Sequence, residues 1–220
     1  MQLVIGNKNY SSWSLRPWML LSFFKLDFEE VQASLKAEGL SARLGQFSPT
    51  SRVPVLIDGE LTVWDSLAIC EYVSERYLEG KGWPRDVSKR AEARAVTAEM
   101  HSGFAGLRRE MPMNCRARRR VEASAQTLKD IARVDEIWAK GMADSGGPWL
   151  FGAFSIVDCF YAPVVMRFAT YAAASGVTLS AGAQRYQDFF LQNDVLQAWV
   201  GAAKQETEIV PEDEAGDDSR

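Results

Sequence analysis

The stretch Pro54-Val55-Leu56-Ile57-Asp58-Gly59-Glu60-Leu61-Thr62-Val63-Trp64-Asp65-Ser66 constrains the fold more than any other part of this chain. Two short apolar runs flank Asp58-Gly59, so the chain turns back as an antiparallel hairpin, with Gly59 supplying the positive φ of the turn. Pro54 stands just before the first strand, where a missing N–H donor is tolerated. Asp65-Ser66 then opens a helix to about Tyr77, with Ser66 the expected N-cap. A hairpin feeding directly into a helix belongs to a mixed sheet covered by helices.

The preceding residues complete that unit. Residues 3–6 read as a short buried strand, 14–24 as a helix with Pro17 near its start, 28–33 as a second strand, and 41–47 as a short helix. The order is β-α-β-α-β-β-α. Gly80-Lys81-Gly82-Trp83-Pro84 breaks the chain and is the expected linker. Beyond it the pattern is helical throughout. Ala93, Val96, Met100, Phe104 and Leu107 recur at one helical spacing, and Val121, Ala125, Leu128, Ile131 and Trp138 at a second. A long helix follows over 155–171, and two shorter ones over 183–191 and 194–205. The expected division is 1–79, 86–206 and a tail over 207–220. From residue 205 on, seven acids face one base, so the tail reads as disordered.

Composition excludes several kinds of chemistry. The three cysteines, Cys70, Cys115 and Cys159, are far apart and form no CxxC pair, which argues against a disulfide framework, a zinc site or a dithiol redox motif. A single histidine, His101, rules out a multi-histidine metal site, and no Gly-x-Ser-x-Gly elbow accompanies it. No apolar run approaches the roughly 20 residues of a membrane span. The first residues read as a strand rather than an export signal, so the cytoplasm is the expected compartment. Arg116, Arg118, Arg119 and Arg120 form a basic run, but Glu110 and Glu122 interrupt it and the chain carries a net charge of −4. It reads as a solvated helix face rather than a nucleic-acid site.

Three segments have the makings of a site. In Asn9-Tyr10-Ser11-Ser12-Trp13-Ser14, serine hydroxyls lie at a helix start, where unpaired N–H groups and a partial positive charge favour an anion. In Arg52-Val53-Pro54-Val55, a cis proline would turn the Val53 backbone outward, to pair with an extended peptide ligand. At Asp65-Ser66 a second helix start offers N–H groups and a hydroxyl for a carboxylate, and the Asp65 side chain for an ammonium. Each also reads plainly, as a turn, a strand start or a cap.

Their order and spacing resemble the glutathione S-transferase superfamily over roughly residues 1–206. Ser11-Ser12-Trp13-Ser14 is similar to the Ser-Ser-Cys-Ser pattern of the zeta-class and maleylacetoacetate-isomerase members, with Trp13 in the cysteine's place. Val53-Pro54 is similar to the family's cis-proline, and Asp65-Ser66 to its acid-serine pair for the γ-glutamyl group. Gly152-Ala153-Phe154-Ser155-Ile156-Val157-Asp158 is similar to its helical capping motif, with Asp158 the acidic partner of the Ser155 cap. The resemblance implies a thioredoxin-like domain followed by an all-helical domain. It implies a homodimer that uses glutathione as co-substrate, without a metal, to attack a small electrophile by conjugation or isomerisation. Ser11, then Ser12, are the expected thiol-activating residues. Val53, Pro54, Asp65 and Ser66 would hold glutathione, and Trp13, His101, Phe104, Arg108 and Arg167 would meet the electrophile. Arg16 stands close to the thiol end, and with Arg108 and Arg167 favours an acidic electrophile. The alternative is an interaction protein that keeps the fold without catalysis.

Overall fold

In the structure, a computed structural model, residues 1–35 and 38–218 are described. Strand β1 (Gln2–Ile5) is central in a four-stranded sheet of order β2-β1-β3-β4. It pairs in parallel with β2 (Glu29–Gln32) and antiparallel with β3 (Val55–Asp58), which forms the expected hairpin with β4 (Leu61–Trp64). The two-residue period divides the β1 side chains cleanly. Leu3 and Ile5 join Leu56 in the main core, while Val4 joins Val55, Ala33 and Leu44 in a smaller cluster on the other face. That second face is covered by α2 (Leu40–Gly45).

The main core runs without interruption from the sheet into the helices. Helix α1 (Ser12–Phe23) packs against α3 (Ser66–Tyr77), and also against α7 (Ile156–Tyr171) and α9 (Asp194–Ala203). Fifteen of the sixteen α7 residues are buried, which is what a helix apolar on all sides requires. The remaining helices are α4 (Val87–Ser102), α5 (Ala105–Glu110), α6 (Ala125–Ser145) and α8 (Ala181–Leu191).

Three expectations are corrected. The apolar period from Ala93 to Leu107 is not one helix. Helix α4 stops at Ser102, Phe104 takes a left-handed φ of 56°, and α5 begins afterwards. Gly103 makes the break possible, since a Cβ there would lie 2.7 Å from the Glu99 carbonyl oxygen. His101, Phe104 and Arg108 therefore do not share one helical face. Second, Asp65 rather than Ser66 caps α3, its carboxylate accepting from the N–H groups of Leu67 (2.8 Å) and Ala68 (3.2 Å).

Third, the arginine run is not helical. Arg119–Arg120 is a short strand, β5, paired antiparallel with β6 (Asp217–Asp218). The tail is described through Asp218, and Ser219 and Arg220 lie outside the described residues. The Glu206 carboxylate accepts from the N–H groups of Lys8 (2.8 Å) and Asn9 (3.0 Å), and Glu208 accepts from Leu35 N–H at 2.9 Å. Arg119 pairs with Glu214 at 2.6 Å, and Tyr10 donates its hydroxyl to the same carboxylate. The acidic tail thus meets donors and a guanidinium on the body.

Candidate functional site

The site is built around the turn from β1 into α1. The loop of residues 6–11 is held at every step. Tyr10 N–H donates to Asn7 Oδ1 at 3.0 Å and Ser11 N–H to the Asn7 carbonyl at 3.0 Å. Asn9 donates to Asn114 at 3.0 Å and accepts from Arg116 N–H at 2.9 Å. At the end of this loop Ser11 is the N-cap of α1, but its side chain caps none of the first-turn N–H groups. Its hydroxyl instead donates to Ser14 Oγ at 2.7 Å, and Ser14 Oγ also accepts from Gly6 N–H at 3.1 Å. Ser12 differs, its Oγ accepting from Arg167 Nη2 at 3.2 Å.

Beside the loop lies a cleft of about 690 Å³ whose walls include Trp13, Val53, Pro54, Trp64, Asp65 and Ser66. The Val53–Pro54 bond is cis, as the family resemblance implies. Three separate sequence segments therefore meet at one cavity. Ser11 and Ser12 do not line it directly and are only 6% and 8% exposed, so the indole of Trp13 is the part of that segment that reaches the opening.

Arg16 ties these parts together. Its guanidinium is buried and donates from Nη1 to Ser66 Oγ at 3.1 Å, with His101 Nδ1 at 3.5 Å. It also lies over the indole of Trp13, 4.1 Å from the ring centroid, and over Phe160 at 4.5 Å. Arg108 lies 4.6 Å from the same indole, and His101 meets that ring edge-on. Burial, reinforced by Arg108 and Arg167, holds the Arg16 guanidinium well below its usual pKa. The other imidazole nitrogen, Nε2 of His101, faces Asp65 Oδ2 at 3.4 Å. Among the described residues around this site, Arg16 Nε, Arg108 Nη2 and Arg167 Nε are buried without a hydrogen-bond partner.

The expected residues thus divide. Trp13, Val53, Pro54, Asp65 and Ser66 line the cleft, and His101 and Arg108 adjoin it through Trp13. Phe104 does not, being buried in the core. Arg167 is buried, its guanidinium bound to the carbonyls of Met111 (2.6 Å) and Arg108 (3.2 Å) and to Ser12. Cys70, Cys115 and Cys159 are all buried, and burial pushes each thiol up, Cys115 to about 12. Asn7, Asn114 and Arg116 are not among the expected site residues although they shape the loop, and the partners that Asn9 finds in Asn114 and Arg116 lie about a hundred positions away, where no local pattern marks them.

Among the described residues, no group of three histidines, cysteines or acids is placed to hold a metal, and no helix is long and apolar enough to cross a membrane. A four-stranded mixed sheet with a cis proline at the head of β3, joined through α1 to a helical bundle, defines a thioredoxin-like domain with a helical companion. Residues 10–76 match the glutathione S-transferase N-terminal domain, and residues 121–202 match the glutathione S-transferase C-terminal domain. The chain belongs to the glutathione S-transferase superfamily.

Relatives include a zeta-class glutathione S-transferase of Euphorbia esula, 30% identical over 64% of this chain and 53% of the relative. A probable maleylacetoacetate isomerase of Caenorhabditis elegans is 34% identical over 43% of this chain and 44% of the relative. The matched region spans about half the length of these curated relatives. Among solved structures, a Burkholderia glutathione transferase homolog with bound glutathione superimposes with a TM-score of 0.70 at 24% identity, covering 93% of this chain and 98% of that one. A bacterial zeta-class maleyl pyruvate isomerase gives 0.70 at 20% identity, over 94% and 100%.

Proposed function

We propose that the cleft binds glutathione and that the protein adds its thiolate to a small electrophile, as conjugation or as a reversible addition that isomerises a double bond. The observation that carries this reading is the convergence of the cis Val53–Pro54 edge and the Asp65–Ser66 helix start on one cavity with Trp13. Val53 offers backbone groups to an extended peptide, Ser66 a hydroxyl for a carboxylate, and Asp65 a partner for an ammonium. The thiol end then falls at the Ser11–Ser12 turn. Lowering a thiol pKa from about 8.5 to about 6.5 takes about 2.7 kcal/mol of preference for thiolate. One hydrogen bond to a charged group gives about 1.5–3 kcal/mol, and a helix N-terminus about 0.3–1. A serine at the start of α1 is therefore sufficient.

The electrophile side is bordered by Trp13, His101 and Arg108. The unpartnered nitrogens of Arg16 and Arg108 favour an electrophile that carries a carboxylate. The reading includes a cytoplasmic location and a homodimer. It is tested by thermal unfolding with glutathione. At tenfold excess over Kd, about 1.4 kcal/mol of linkage raises Tm by about 3–6 °C. No shift and no calorimetric heat at millimolar glutathione would remove the reading. Binding without turnover of any electrophile in a panel would favour the interaction protein.

A further inference from the structure

Asp65 and Ser66 are neighbours in the chain, and two side chains from elsewhere in the fold tie them to each other. Arg16, on α1, donates from Nη1 to Ser66 Oγ at 3.1 Å and lies 3.5 Å from His101 Nδ1. His101, in the last turn of α4, places Nε2 3.4 Å from Asp65 Oδ2. The series Ser66–Arg16–His101–Asp65 closes on itself, and one member comes from the helical domain. The two oxygens of Asp65 are used differently. Oδ1 accepts from the first N–H groups of α3, while Oδ2 is left for His101 and for the cleft that Asp65 lines.

A guanidinium carries donors only, so these contacts fix the state of the ring. Nδ1 accepts from Arg16, and the single ring proton sits on Nε2, toward Asp65. A second proton would set an N–H against the guanidinium and a full positive charge beside Asp65. The charged groups that face the ring are Arg16 from α1, Arg108 from α5 and Asp65 at the head of α3. Its other neighbours, Trp13 and Phe160, are uncharged. Two cations against one acid favour the neutral ring, and burial acts in the same direction.

We propose that neutral His101 is a positioning residue for the amino end of glutathione: its Nε2–H steadies the Asp65 carboxylate that receives the ammonium, and a protonated ring closes that site by pairing with Asp65 Oδ2 in the ammonium's place. This rests on the proposed glutathione reading and deepens it. Glutathione binding and His101 protonation then exclude one another. Affinity is full well above the midpoint of the ring in the free protein, halves at that midpoint, and falls about tenfold one pH unit below it. By the same linkage, saturating glutathione lowers the midpoint. The carboxyls, amine and thiol of glutathione all titrate outside about pH 5–7, so the ligand itself adds nothing to the profile there.

The test is the Kd of glutathione by titration calorimetry in the full-length protein, from pH 7.5 to one unit below the His101 midpoint read by NMR on the same sample. The carboxyls of Asp158 and Asp213 also titrate at about pH 6, so the parent is compared with His101→Gln, which keeps both acids and has no titrating ring. Its amide offers one donor and one acceptor, and its profile is flat. His101→Leu, which offers neither, weakens binding about three- to tenfold at pH 7.5. Glutaryl-cysteinylglycine, glutathione without its amino group, binds the parent more weakly and without the loss at low pH. That probe uses the parent protein, so it decides the matter even where a variant fails to fold. A loss at low pH that survives in His101→Gln overturns the proposal, as does an equal loss for the deaminated tripeptide or a ring midpoint that rises with glutathione. Glutathione that binds the parent at no pH would instead remove the glutathione reading itself.

Discussion

His101 is the residue at which the chemistry of this site becomes easiest to read, because the chain has only one histidine. Its ring lies between Arg16 on Nδ1 and Asp65 on Nε2, against Trp13 and Phe160. Burial lowers its pKa first. Asp65 pulls the other way, while Arg16 and Arg108 add to the lowering. The folded protein therefore prefers the neutral ring more than the unfolded chain does. The stability this contributes is complete above about pH 6.5 and is lost as pH falls through the lower, folded-state value. An NMR titration of the ring protons should give a single midpoint below the usual 6.5. A midpoint above it would mean that Asp65 outweighs burial.

At the scale of elements, helix α7 and the C-terminal strap each hang on buried or paired carboxylates. Asp158 in the first turn of α7 does more than cap it. It accepts from Ser155 N–H (2.9 Å), Ser155 Oγ (3.1 Å), Leu150 N–H (3.3 Å) and the Tyr186 hydroxyl (3.0 Å). A cap contact alone is worth about 0.5–2 kcal/mol. Removing an acceptor shared by several buried donors leaves each unsatisfied, so Asp158→Ala should cost at least about 3 kcal/mol in urea denaturation. A loss below 2 would reduce Asp158 to an ordinary cap. The strap offers a separate test. Lys8 and Asn9 N–H both donate to Glu206, so Glu206→Ala should speed hydrogen exchange at those two amides roughly tenfold or more. Unchanged exchange there would mean that the strap rests on the loop without holding it.

The whole molecule is organised by α1, which touches the sheet side through α3 and the helical side through α7 and α9. The cleft is walled by residues of the first domain, Trp13 among them, and His101 and Arg108 meet it through that indole. The edge of the sheet at β4 and the end of α3 leave Leu61, Trp64 and Tyr77 exposed. An exposed sheet edge with apolar side chains calls for a partner. The proposed homodimer would cover part of that surface. Light scattering at micromolar concentration should therefore give the mass of two chains, and a value near 24.5 kDa, the mass of one, would exclude the dimer at that concentration.

What the sequence determined by itself is local. The hairpin at Asp58-Gly59, the proline before it, the helix start at Asp65-Ser66 and the Ser155–Asp158 cap each depend on residues a few positions apart, so their signals sit together in the chain. The same is true of the three segments that line the cleft, whose spacing marks the family. Tertiary structure decided the rest. The period from Ala93 to Leu107 runs on through a break that Gly103 permits, its backbone lying against the Glu99 carbonyl. Ser66 is freed from capping because the Asp65 carboxylate reaches two N–H groups first, and its hydroxyl is then met by Arg16. Arg119, Tyr10 and the Lys8–Asn9 backbone, each about a hundred or more positions away, receive carboxylates of the acidic tail. Arg167 meets Ser12 only because α7 packs along α1. Hydrogen bonds and charge pairs between distant segments leave no periodic trace in a sequence; they exist only once the hydrophobic core has brought the segments together.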